Sequence, residues 1–410
     1  MPTNTDQQRQ PAVRLRTLDQ LQVRGQRVLV RCDLNVPLTR AAGGASAEIA
    51  DDARIRAALP TLRELLRDGA AIILVSHLGR PKGYDQSLSL RPVAQRLGQL
   101  LAVPVQLAPG VVGADVDACA QALTPGRILL LENVRFEAGE TANDPTFAAA
   151  LAALADVYVD DAFGCAHRAH ASTEGVARLL PSAAGRLLER EVLALCATVD
   201  DPARPLVAVF GGAKVGDKLG LLARFMQVAD VVCVGGAMAF PLLVAEGHRV
   251  GASPCAAADL ERAVELLGEH ADCRLELPTD LVIAATGLEP DRTAVVGDDL
   301  GDGEVAGDIG PRTRQRFTAA IATAATVLWN GPMGRFESPP FAEGTAAVAR
   351  AVTNTHAVTV VGGGETIEAL REFGDPARVT HVSTGGGAML EFLEGRSLPG
   401  VQALLVSAAP

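Results

Sequence analysis

A stretch near the middle of the chain combines the residue types that bind phosphate. An apolar run at residues 207–210 is followed by Gly211, Gly212, Lys214 and Lys218. This order predicts a buried strand, a tight glycine turn and a helix whose first turn carries both lysines. Glycine lets backbone N–H groups approach an anion closely, and a helix N-terminus and lysine side chains add positive charge. The stretch therefore indicates a phosphate-binding turn, with an ordinary glycine turn and surface lysines as the alternative.

Three later segments repeat the order of strand, glycine and helix. Apolar runs at residues 231–234, 358–361 and 381–383 each lead into glycines and then into helical sequence. The turn after residues 231–234 contains Gly235 and Gly236. The turn after residues 358–361 contains Gly362, Gly363, Gly364, Glu365 and Thr366. Repetition favours phosphate binding, while tight turns without a ligand remain the alternative. The glycines match neither a Walker A loop, which needs lysine where Asp217 stands, nor the complete G-x-G-x-x-G motif of a dinucleotide-binding domain.

The first half of the chain places cations, rather than glycines, after its strands. Apolar runs at residues 27–31, 71–75, 127–131 and 156–160 alternate with helical patterns, which predicts βα units of a parallel sheet. Ligands bind beyond the carboxyl ends of such strands. The polar side chains expected there are Asp33, Asn35, His77, Arg80, Arg135, His167, Arg168 and His170, with Arg54 nearby at the start of a helix. Several cations at one sheet edge favour a small, multiply charged anion.

Two further groups of polar residues have alternative interpretations. Cys165, His167 and His170 have the residue types of a metal site but lack a fourth ligand at matching spacing, so histidines that donate hydrogen bonds to an anion fit better. Asn330 and Glu337 flank a turn and could hold a ribose or a base, and ordinary turn chemistry explains them equally well.

The composition argues against several classes of protein. The chain has 410 residues, of which 48% are hydrophobic and 3% aromatic, and its formal net charge is −11. It has no basic run with interleaved aromatics, which argues against nucleic-acid binding. We find neither a secretion signal nor an apolar run of about 18 residues, so we expect no membrane span and a cytoplasmic protein. The seven cysteines lack a CxxC pair, which argues against a disulfide framework and a zinc ribbon.

The length predicts two domains of the α/β class. We expect two doubly wound, Rossmann-like lobes with parallel sheets, at residues 1–180 and 201–390. An amphipathic pattern over residues 181–196 predicts a helix between the lobes and a hinge at residues 181–200. Residues 295–311 are rich in aspartate and glycine without the spacing of a calcium loop, which predicts a mobile loop.

The two halves together indicate phosphoryl transfer. One lobe offers cations to a small polyanion, and the other offers glycine turns and lysines to a polyphosphate. This chemistry needs both substrates in line and the charge of the moving group neutralised, for which Lys214 and Arg54 are the candidates. Glu365 is the best placed carboxylate for a Mg²⁺ ion that bridges nucleotide phosphates. Closure of the lobes would exclude water from the reaction.

The sequence closely resembles the phosphoglycerate kinase family over nearly its whole length. The resemblance lies in residues 31–37 (RCDLNVP), 76–81 (SHLGRP), 132–135 (ENVR), 161–170 (DAFGCAHRAH), 210–218 (FGGAKVGDK), 329–334 (WNGPMG) and 383–388 (STGGGA). It implies reversible, Mg²⁺-dependent transfer of a phosphoryl group between 1,3-bisphosphoglycerate with ADP and 3-phosphoglycerate with ATP, in glycolysis. It also implies a monomer whose segment 391–410 returns to the first lobe.

The resemblance assigns roles to individual residues. The positions that match its 3-phosphoglycerate site are Asp33, Asn35, Arg54, His77, Arg80, Arg135 and Arg168, with Arg54 also stabilising the moving group. Together with the glycine turns above, the expected nucleotide site comprises Gly211, Gly212, Lys214, Lys218, Gly235, Gly236, Ala306, Asn330, Glu337, Gly362, Gly363, Gly364, Glu365 and Thr366.

Three departures from the family pattern lie on the nucleotide side. Glu365 stands where aspartate is usual, and its extra methylene implies a shifted turn or a water-bridged metal, since Mg²⁺ tolerates little error in its octahedral geometry. Ala237 replaces a usual glycine, and residues 305–308 place their glycine differently, with Ala306 near the adenine. The preference between ATP and GTP therefore stays open. An active kinase is the main hypothesis, and a weakened paralogue that acts as a binding or regulatory protein is the alternative.

Overall fold

A computed structural model describes residues 14–39, 48–216, 218–268, 272–284, 292–296 and 300–406. The chain divides into two compact units: unit 1 contains residues 1–196 and 397–410, and unit 2 contains residues 197–396. The boundaries thus lie after residues 196 and 396, whereas the sequence analysis expects a hinge over 181–200 and a returning segment from 391. Asp217 and the polar residues before Arg14 lie outside the described ranges.

Unit 1 is built on a parallel sheet. Its strands in chain order are β1 (Arg27–Arg31), β2 (Leu38–Thr39), β3 (Glu48–Ile49), β4 (Ala71–Val75), β5 (Val105–Leu107), β6 (Ile128–Leu130), β7 (Val157–Asp160) and β8 (Ser182–Ala184). Its helices up to this point are α1 (Ala53–Arg67), α2 (Arg91–Leu101), α3 (Ala114–Gln121), α4 (Ala138–Thr141) and α5 (Pro145–Ala153). The main sheet has the order β5-β6-β4-β1-β7-β8 with every pair parallel, while β2 and β3 pair antiparallel. Because β1 lies between β4 and β7, the loops after these strands emerge side by side.

The strands of unit 1 form from apolar runs that are covered on both faces. All five residues of β4 are buried, as expected for a parallel strand between helical layers. Ile55, Leu59 and Leu62 are spaced along one face of α1 and belong to the same core as Ile72 and Leu74 of β4. This packing fixes the start of α1, and hence Arg54, near the carboxyl ends of the strands.

Helix α6 (Arg186–Val199) runs across the boundary between the two units. The prediction of a helix from residue 181 is wrong at its start, because residues 182–184 form the edge strand β8 beside β7. Asp161 determines where the helix begins. Its Oδ1 accepts a hydrogen bond from the Leu187 N–H at 2.8 Å, and a side chain on Gly185 would overlap that carboxylate. The carboxylate thereby satisfies an amide that the first turn of a helix leaves without a partner.

Unit 2 repeats the parallel design. Its strands are β9 (Leu206–Phe210), β10 (Val231–Val234), β11 (Arg274–Glu276), β12 (Asp280–Ala284), β13 (Arg292–Val295), β14 (Val305–Ile309), β15 (Thr326–Asn330), β16 (Val358–Gly362) and β17 (His381–Ser383). Its helices are α7 (Leu219–Val228), α8 (Ala239–Ala245), α9 (Ala257–Gly268), α10 (Pro311–Ala322), α11 (Glu343–Asn354), α12 (Gly364–Phe373) and α13 (Gly387–Leu393). The main sheet has the order β11-β10-β9-β15-β16-β17, again all parallel. The direction of strand addition reverses between β9 and β15, which is where doubly wound sheets bind ligands.

A three-stranded antiparallel sheet, in the order β13-β12-β14, adds to unit 2. The prediction of a mobile loop at residues 295–311 is therefore wrong for residues 305–309, which form the largely buried strand β14. Long-range contacts hold this strand in place. Asp308 accepts from the Gly344 N–H at 2.7 Å, and the Phe341 ring packs where a side chain on Gly307 would lie.

The chain returns to unit 1 after residue 396 and ends its regular structure with α14 (Pro399–Gln402). Leu398, Val401 and Leu404 are buried there, and the Arg16 N–H donates to the Leu404 carbonyl at 2.9 Å. The predicted fold class, α/β with two doubly wound parallel sheets, is confirmed. In the described ranges, no helix combines the length and the apolar character needed to cross a membrane.

Candidate functional site

A cavity of about 580 Å³ in unit 1 collects three of the predicted cations. Arg80, Arg135 and Arg168 line it, and they follow β4, β6 and β7 respectively. Lys82, which the sequence analysis does not single out, lines it as well, and so does His170. No ion pair joins any of the three arginines to an acid within the described part of the chain.

The arginines repel one another in the absence of a ligand. Burial lowers the pKa of Arg135, and the neighbouring charge of Arg168 lowers it further. A multiply charged anion would relieve this repulsion and accept charge-assisted hydrogen bonds from the guanidinium groups. The charge and the donors of the cavity therefore suit a multiply charged anion, and we refer to it below as the anion site.

A buried residue that the sequence analysis does not identify, Asn133, holds two loops of this site together. Its Nδ2 donates to the Leu78 carbonyl at 2.7 Å and to the Leu88 carbonyl at 3.1 Å. Its Oδ1 accepts from the N–H groups of Leu78 and Arg135, both at 3.1 Å. Arg135 Nη1 in turn donates to the Gly79 carbonyl at 2.6 Å. The loops after β4 and β6 are thus fixed relative to each other before any ligand binds.

Asp33, Asn35 and Arg54 lie outside the lining of this cavity but are bonded to its surroundings. Asn35 Oδ1 accepts from the Gly79 N–H at 2.8 Å, next to Arg80. Arg54 Nη1 donates to Asp33 Oδ2 at 2.5 Å, and 42% of the Arg54 side chain stays exposed. Asp33 therefore fixes one part of the Arg54 guanidinium, while the other N–H groups of Arg54 can reach a ligand.

His77 is buried and uncharged. Burial lowers its pKa well below the usual value, and the charges of Arg31, Arg135, Arg168 and Arg54 lower it further. Its Nδ1 accepts from Nη2 of Arg31 at 3.2 Å, which assigns the proton to Nε2. His77 can thus donate a hydrogen bond to an anion without changing the charge of the site. The influence of four arginines on one ring also shows that these cations converge.

One group of possible metal ligands lies beside this ring. The ligand atoms of Asp33, His77 and Cys165 are within 4.8 Å of one another. The buried guanidinium of Arg31 occupies the same place, because its Nη2 bonds to His77 and lies 3.6 Å from Cys165 Sγ. Burial raises the pKa of the Cys165 thiol to about 12. A cation and a protonated thiol do not bind a metal, so the group is part of the anion site.

A buried polar chain supports His170 at the edge of the cavity. Glu140 is fully buried, accepts from Ser172 Oγ at 2.7 Å and lies 3.6 Å from His170 Nδ1. Arg31 Nε donates to the same hydroxyl at 2.9 Å. Burial alone would raise the pKa of Glu140, but the hydrogen bond from His170, the charge of Arg31 and the hydrogen bonds from Ser172 lower it below its usual value. The ionised carboxylate thereby fixes the ring of His170.

A second cavity, of about 350 Å³, lies in unit 2 where the strand order reverses. It brings together five of the predicted nucleotide residues, namely Gly212, Gly236, Ala306, Glu337 and Glu365. Phe240, Leu281 and Met333 give it apolar walls. An apolar cavity with a few polar groups suits a flat, heterocyclic ligand.

The glycine turns after β9 and β10 are tightly packed, and their amides are already bonded. The N–H groups donate to backbone carbonyls in the pairs Gly211 to Asn330 (3.1 Å), Gly212 to Pro332 (2.8 Å), Gly235 to Phe210 (2.8 Å) and Gly236 to Met333 (3.0 Å). A Cβ on Gly211 would lie 2.2 Å from the Pro332 oxygen, and one on Gly236 would lie 2.7 Å from the Gly212 nitrogen. These four N–H groups are thus bonded to backbone carbonyls, and glycine is required here because three turns approach one another closely.

The start of α12 differs from these turns. Gly363 has a φ of +98° and precedes the first helical residue, and a Cβ on Gly364 would meet open space. The first N–H groups of a helix have no partner within the helix and attract anions. Gly362 belongs to the packed part of the turn, because a Cβ there would overlap the sulfur of Met389. The amides of residues 364–366 are thus the better candidates for phosphate binding.

The two lysines stand before α7, so the prediction that they lie in its first turn is wrong. Helix α7 begins at Leu219, with Lys218 as its N-cap residue. Lys218 Nζ reaches back and donates to the Gly211 carbonyl at 2.8 Å. Lys214 is exposed, and its side chain makes no hydrogen bond or ion pair with a residue that the structure describes. Lys214 is therefore available to a ligand.

Asn330 and Thr366, which the sequence predicts as nucleotide contacts, are buried beside the turn at the start of α12. Each is 1% exposed. Asn330 Nδ2 donates to the Gly362 carbonyl at 2.7 Å, and Thr366 Oγ1 accepts from the Gly331 N–H at 2.7 Å. In this arrangement they cross-link the loops after β15 and β16 and position the start of α12.

Glu365 fits the expected role of a Mg²⁺ ligand. Its side chain is exposed and lines the second cavity, and no described residue bonds to its carboxylate. A Cβ on Gly212 would lie 3.8 Å from Glu365 Oε2 and 3.2 Å from Lys218 Nζ, so these side chains meet over the same turn. When phosphate oxygens supply the other ligands, Mg²⁺ needs only one or two protein carboxylates.

Comparison with known proteins gives matches over nearly the whole chain. A family model for phosphoglycerate kinase matches residues 18–396. The phosphoglycerate kinases of Salinibacter ruber and Solibacter usitatus are 52% and 50% identical over 394 and 386 residues, which cover 95% and 94% of this chain and 98% and 97% of theirs. Two solved phosphoglycerate kinases, from Coxiella burnetii and Pyrococcus horikoshii, match with TM-scores of 0.86 and 0.80 at 38% and 30% identity. Each of these matches covers 95% of this chain and 98% of the other.

Proposed function

The chain belongs to the phosphoglycerate kinase family and is a glycolytic phosphotransferase with a carboxyl group as acceptor, and from this premise we propose which residues hold each substrate. The three-carbon acid binds in unit 1, and the nucleotide binds in unit 2. The comparisons give no support to the alternative of a weakened paralogue that only binds its ligands.

The observation that carries the acid site is that three arginines line one cavity and that none of them pairs with an acid among the described residues. Arg80, Arg135 and Arg168 would bind the phosphate and carboxylate groups of 3-phosphoglycerate, whose charges match theirs. His77 would add a hydrogen bond from Nε2, and Asn35 would keep the loop that carries Arg80 in place.

We propose Arg54 and Lys214 as the residues that neutralise charge on the moving phosphoryl group. Both are single cations with N–H groups left free for a ligand, since Asp33 occupies only one edge of Arg54. Charge neutralisation of this kind is most of what a protein contributes to phosphoryl transfer.

On the nucleotide side, the second cavity would take the base and the start of α12 the phosphates. Glu337 lines the cavity and would accept a hydrogen bond from the ribose or base. Glu365 would hold Mg²⁺, which lowers the charge repulsion between nucleotide phosphates and an incoming acid. Direct transfer also requires that the two substrates meet in line without water, so we propose a closed state in the reaction cycle with α6 at the hinge.

Turnover of 3-phosphoglycerate with MgATP, followed in a coupled assay, tests these assignments. Arg54→Ala and Lys214→Ala should each lower kcat by about 100-fold or more, because each removes a preorganised cation from the transition state. Arg67→Ala, at the exposed far end of α1, is the matched control and should leave kcat unchanged. Full activity of both Arg54→Ala and Lys214→Ala would refute the site.

We also propose a cytoplasmic monomer. All seven cysteines are free, as suits a reducing compartment. One chain carries both candidate sites, so the reaction needs no second copy. Sedimentation of the purified protein at several concentrations tests this, and a mass that rises to twice 42.5 kDa would contradict it.

A further inference from the structure

The nucleotide cavity of unit 2 contains one basic side chain in its described lining, Arg335. Arg335 follows β15, is exposed, and was not among the expected site residues. Its backbone N–H donates to the Gly307 carbonyl of β14 at 2.9 Å. This bond fixes the Arg335 backbone against the strand whose residues 305–309 form one wall of the cavity.

The guanidinium of Arg335 is placed by an aromatic ring. Its central carbon lies 5.2 Å from the centroid of the Phe341 ring. Phe341 is fully buried and packs against Gly307, where any side chain would overlap the ring. A guanidinium on an aromatic face is held by cation–π attraction while its N–H groups stay in the plane, free to bond at the edges. No acid pairs with Arg335 among the residues that the structure describes.

The other charged groups of the lining are acids with different tasks. Asp308 is buried, and both of its oxygens accept backbone N–H groups, from Ile309 at 2.8 Å and from Gly344 at 2.7 Å. Glu337 and Glu365 are exposed acceptors. Arg335 is therefore the side chain of this cavity that can donate several hydrogen bonds to acceptor atoms of a base.

Purine rings differ at the edge that such a donor recognises. Guanine and hypoxanthine present two adjacent acceptors, N7 and O6, which an arginine can bond in bidentate fashion. Adenine presents N7 beside an amino group, which offers no acceptor to a second guanidinium N–H. We propose that Arg335 is a specificity-determining residue that binds the N7 and O6 acceptors of 6-oxopurine nucleotides and so raises kcat/KM for GTP and ITP relative to that for ATP. This inference rests on the proposed nucleotide site in unit 2.

The test compares kcat/KM for ATP, GTP and ITP in the parent protein and in Arg335→Met, which keeps an unbranched apolar side chain and removes the donors. We expect kcat/KM for GTP and ITP to fall about tenfold or more, while that for ATP falls less than about threefold, since a bidentate contact discriminates between bases on that scale. Arg335→Lys keeps the charge without the planar arrangement of donors. Its kcat/KM for GTP and ITP, relative to that for ATP, should also fall. The KM for 3-phosphoglycerate should not change.

Two outcomes would overturn the inference. Equal losses for all three nucleotides in Arg335→Met would indicate a structural role, and no loss for any would indicate a solvated side chain. Arg350→Met, an exposed arginine of α11, is the control for removal of a surface charge. If the parent protein turns over none of the nucleotides, the proposed function fails; if it turns them over and the ratios stay constant, only the role of Arg335 fails.

Discussion

At the scale of single residues, the anion site contains two kinds of side chain that sequence alone distinguishes poorly. Arg80, Arg135 and Arg168 could be predicted to lie at this sheet edge, because a cation in the loop that follows a buried strand is a local pattern. Asn133 could not, since its hydrogen bonds run to backbone groups some 45 to 55 residues away in sequence. A polar residue between Glu132 and Arg135 gives no local signal that separates a ligand contact from a buried cross-link.

His77 leads to a prediction about acid stability. Its pKa in the folded protein lies below the usual value of 6.5, so the unfolded chain binds more protons as the pH falls. The stability that His77 contributes is thus fully present above about pH 6.5 and is lost progressively below it. His77→Gln, which retains an amide that can bond to Arg31, should lose less unfolding free energy than the parent protein between about pH 6.5 and pH 5.

Urea unfolding at a series of pH values measures this difference. Parallel pH profiles for the parent protein and His77→Gln would show that folding does not lower the pKa of His77, which would contradict the prediction. His356→Gln, a histidine of unit 2 outside both cavities, is the control for replacement of an imidazole.

At the scale of elements, the glycine turns of unit 2 separate two roles that one sequence pattern conceals. Gly211 is glycine because Pro332 lies against it, whereas Gly364 faces open space at the start of α12. Both lie in a glycine turn between a strand and the start of a helix. The pattern predicts the turns correctly but does not tell which of them packs against a neighbouring loop.

Alanine at each position should separate these roles. Gly211→Ala should destabilise the protein by about 2 kcal/mol or more, because its Cβ would overlap backbone atoms that cannot move independently. Gly364→Ala should change stability by less than about 0.5 kcal/mol and raise the KM for MgATP, since the added methyl group obstructs the approach of a phosphate. Urea unfolding and initial-rate kinetics measure the two effects. The assignment is contradicted if Gly364→Ala leaves nucleotide kinetics unaltered.

Most of the parallel strands could be predicted at this scale, because buried strands appear as continuous apolar runs. The prediction was wrong where long-range contacts decide the structure. The composition of residues 305–309 predicts a loop. They form a strand because Asp308 accepts a hydrogen bond from the Gly344 N–H and the Phe341 ring packs on Gly307. The first residues of the predicted inter-lobe helix are likewise held as β8 beside β7.

At the scale of the whole molecule, residues 397–406 tie the distal part of the chain to the anion site. The Gly400 N–H donates to the Ala166 carbonyl at 2.9 Å, and a Cβ on Gly400 would lie 3.0 Å from Ala166 Cα. Ala166 is fully buried and lies two residues before Arg168. The position of Arg168 therefore depends on a residue more than 200 positions away in sequence.

Gly400→Val should displace Ala166 and raise the KM for 3-phosphoglycerate several-fold, with a loss of stability of about 1–3 kcal/mol from overpacking. The KM for MgATP should stay unchanged, because Gly400 belongs to unit 1. Gln402→Val, on an exposed position of the same short helix, is the matched control. An equal rise in both KM values would point to general loss of structure instead.

The discontinuity of unit 1 also affects how the protein is made. Residues 197–396 form one uninterrupted unit, whereas unit 1 lacks Leu398, Val401 and Leu404 of its core until the segment after residue 396 has been made. The core of unit 1 can therefore be completed only after all of unit 2 has been translated. Until that segment is released, unit 1 exposes the apolar surface that Leu398, Val401 and Leu404 cover in the folded protein.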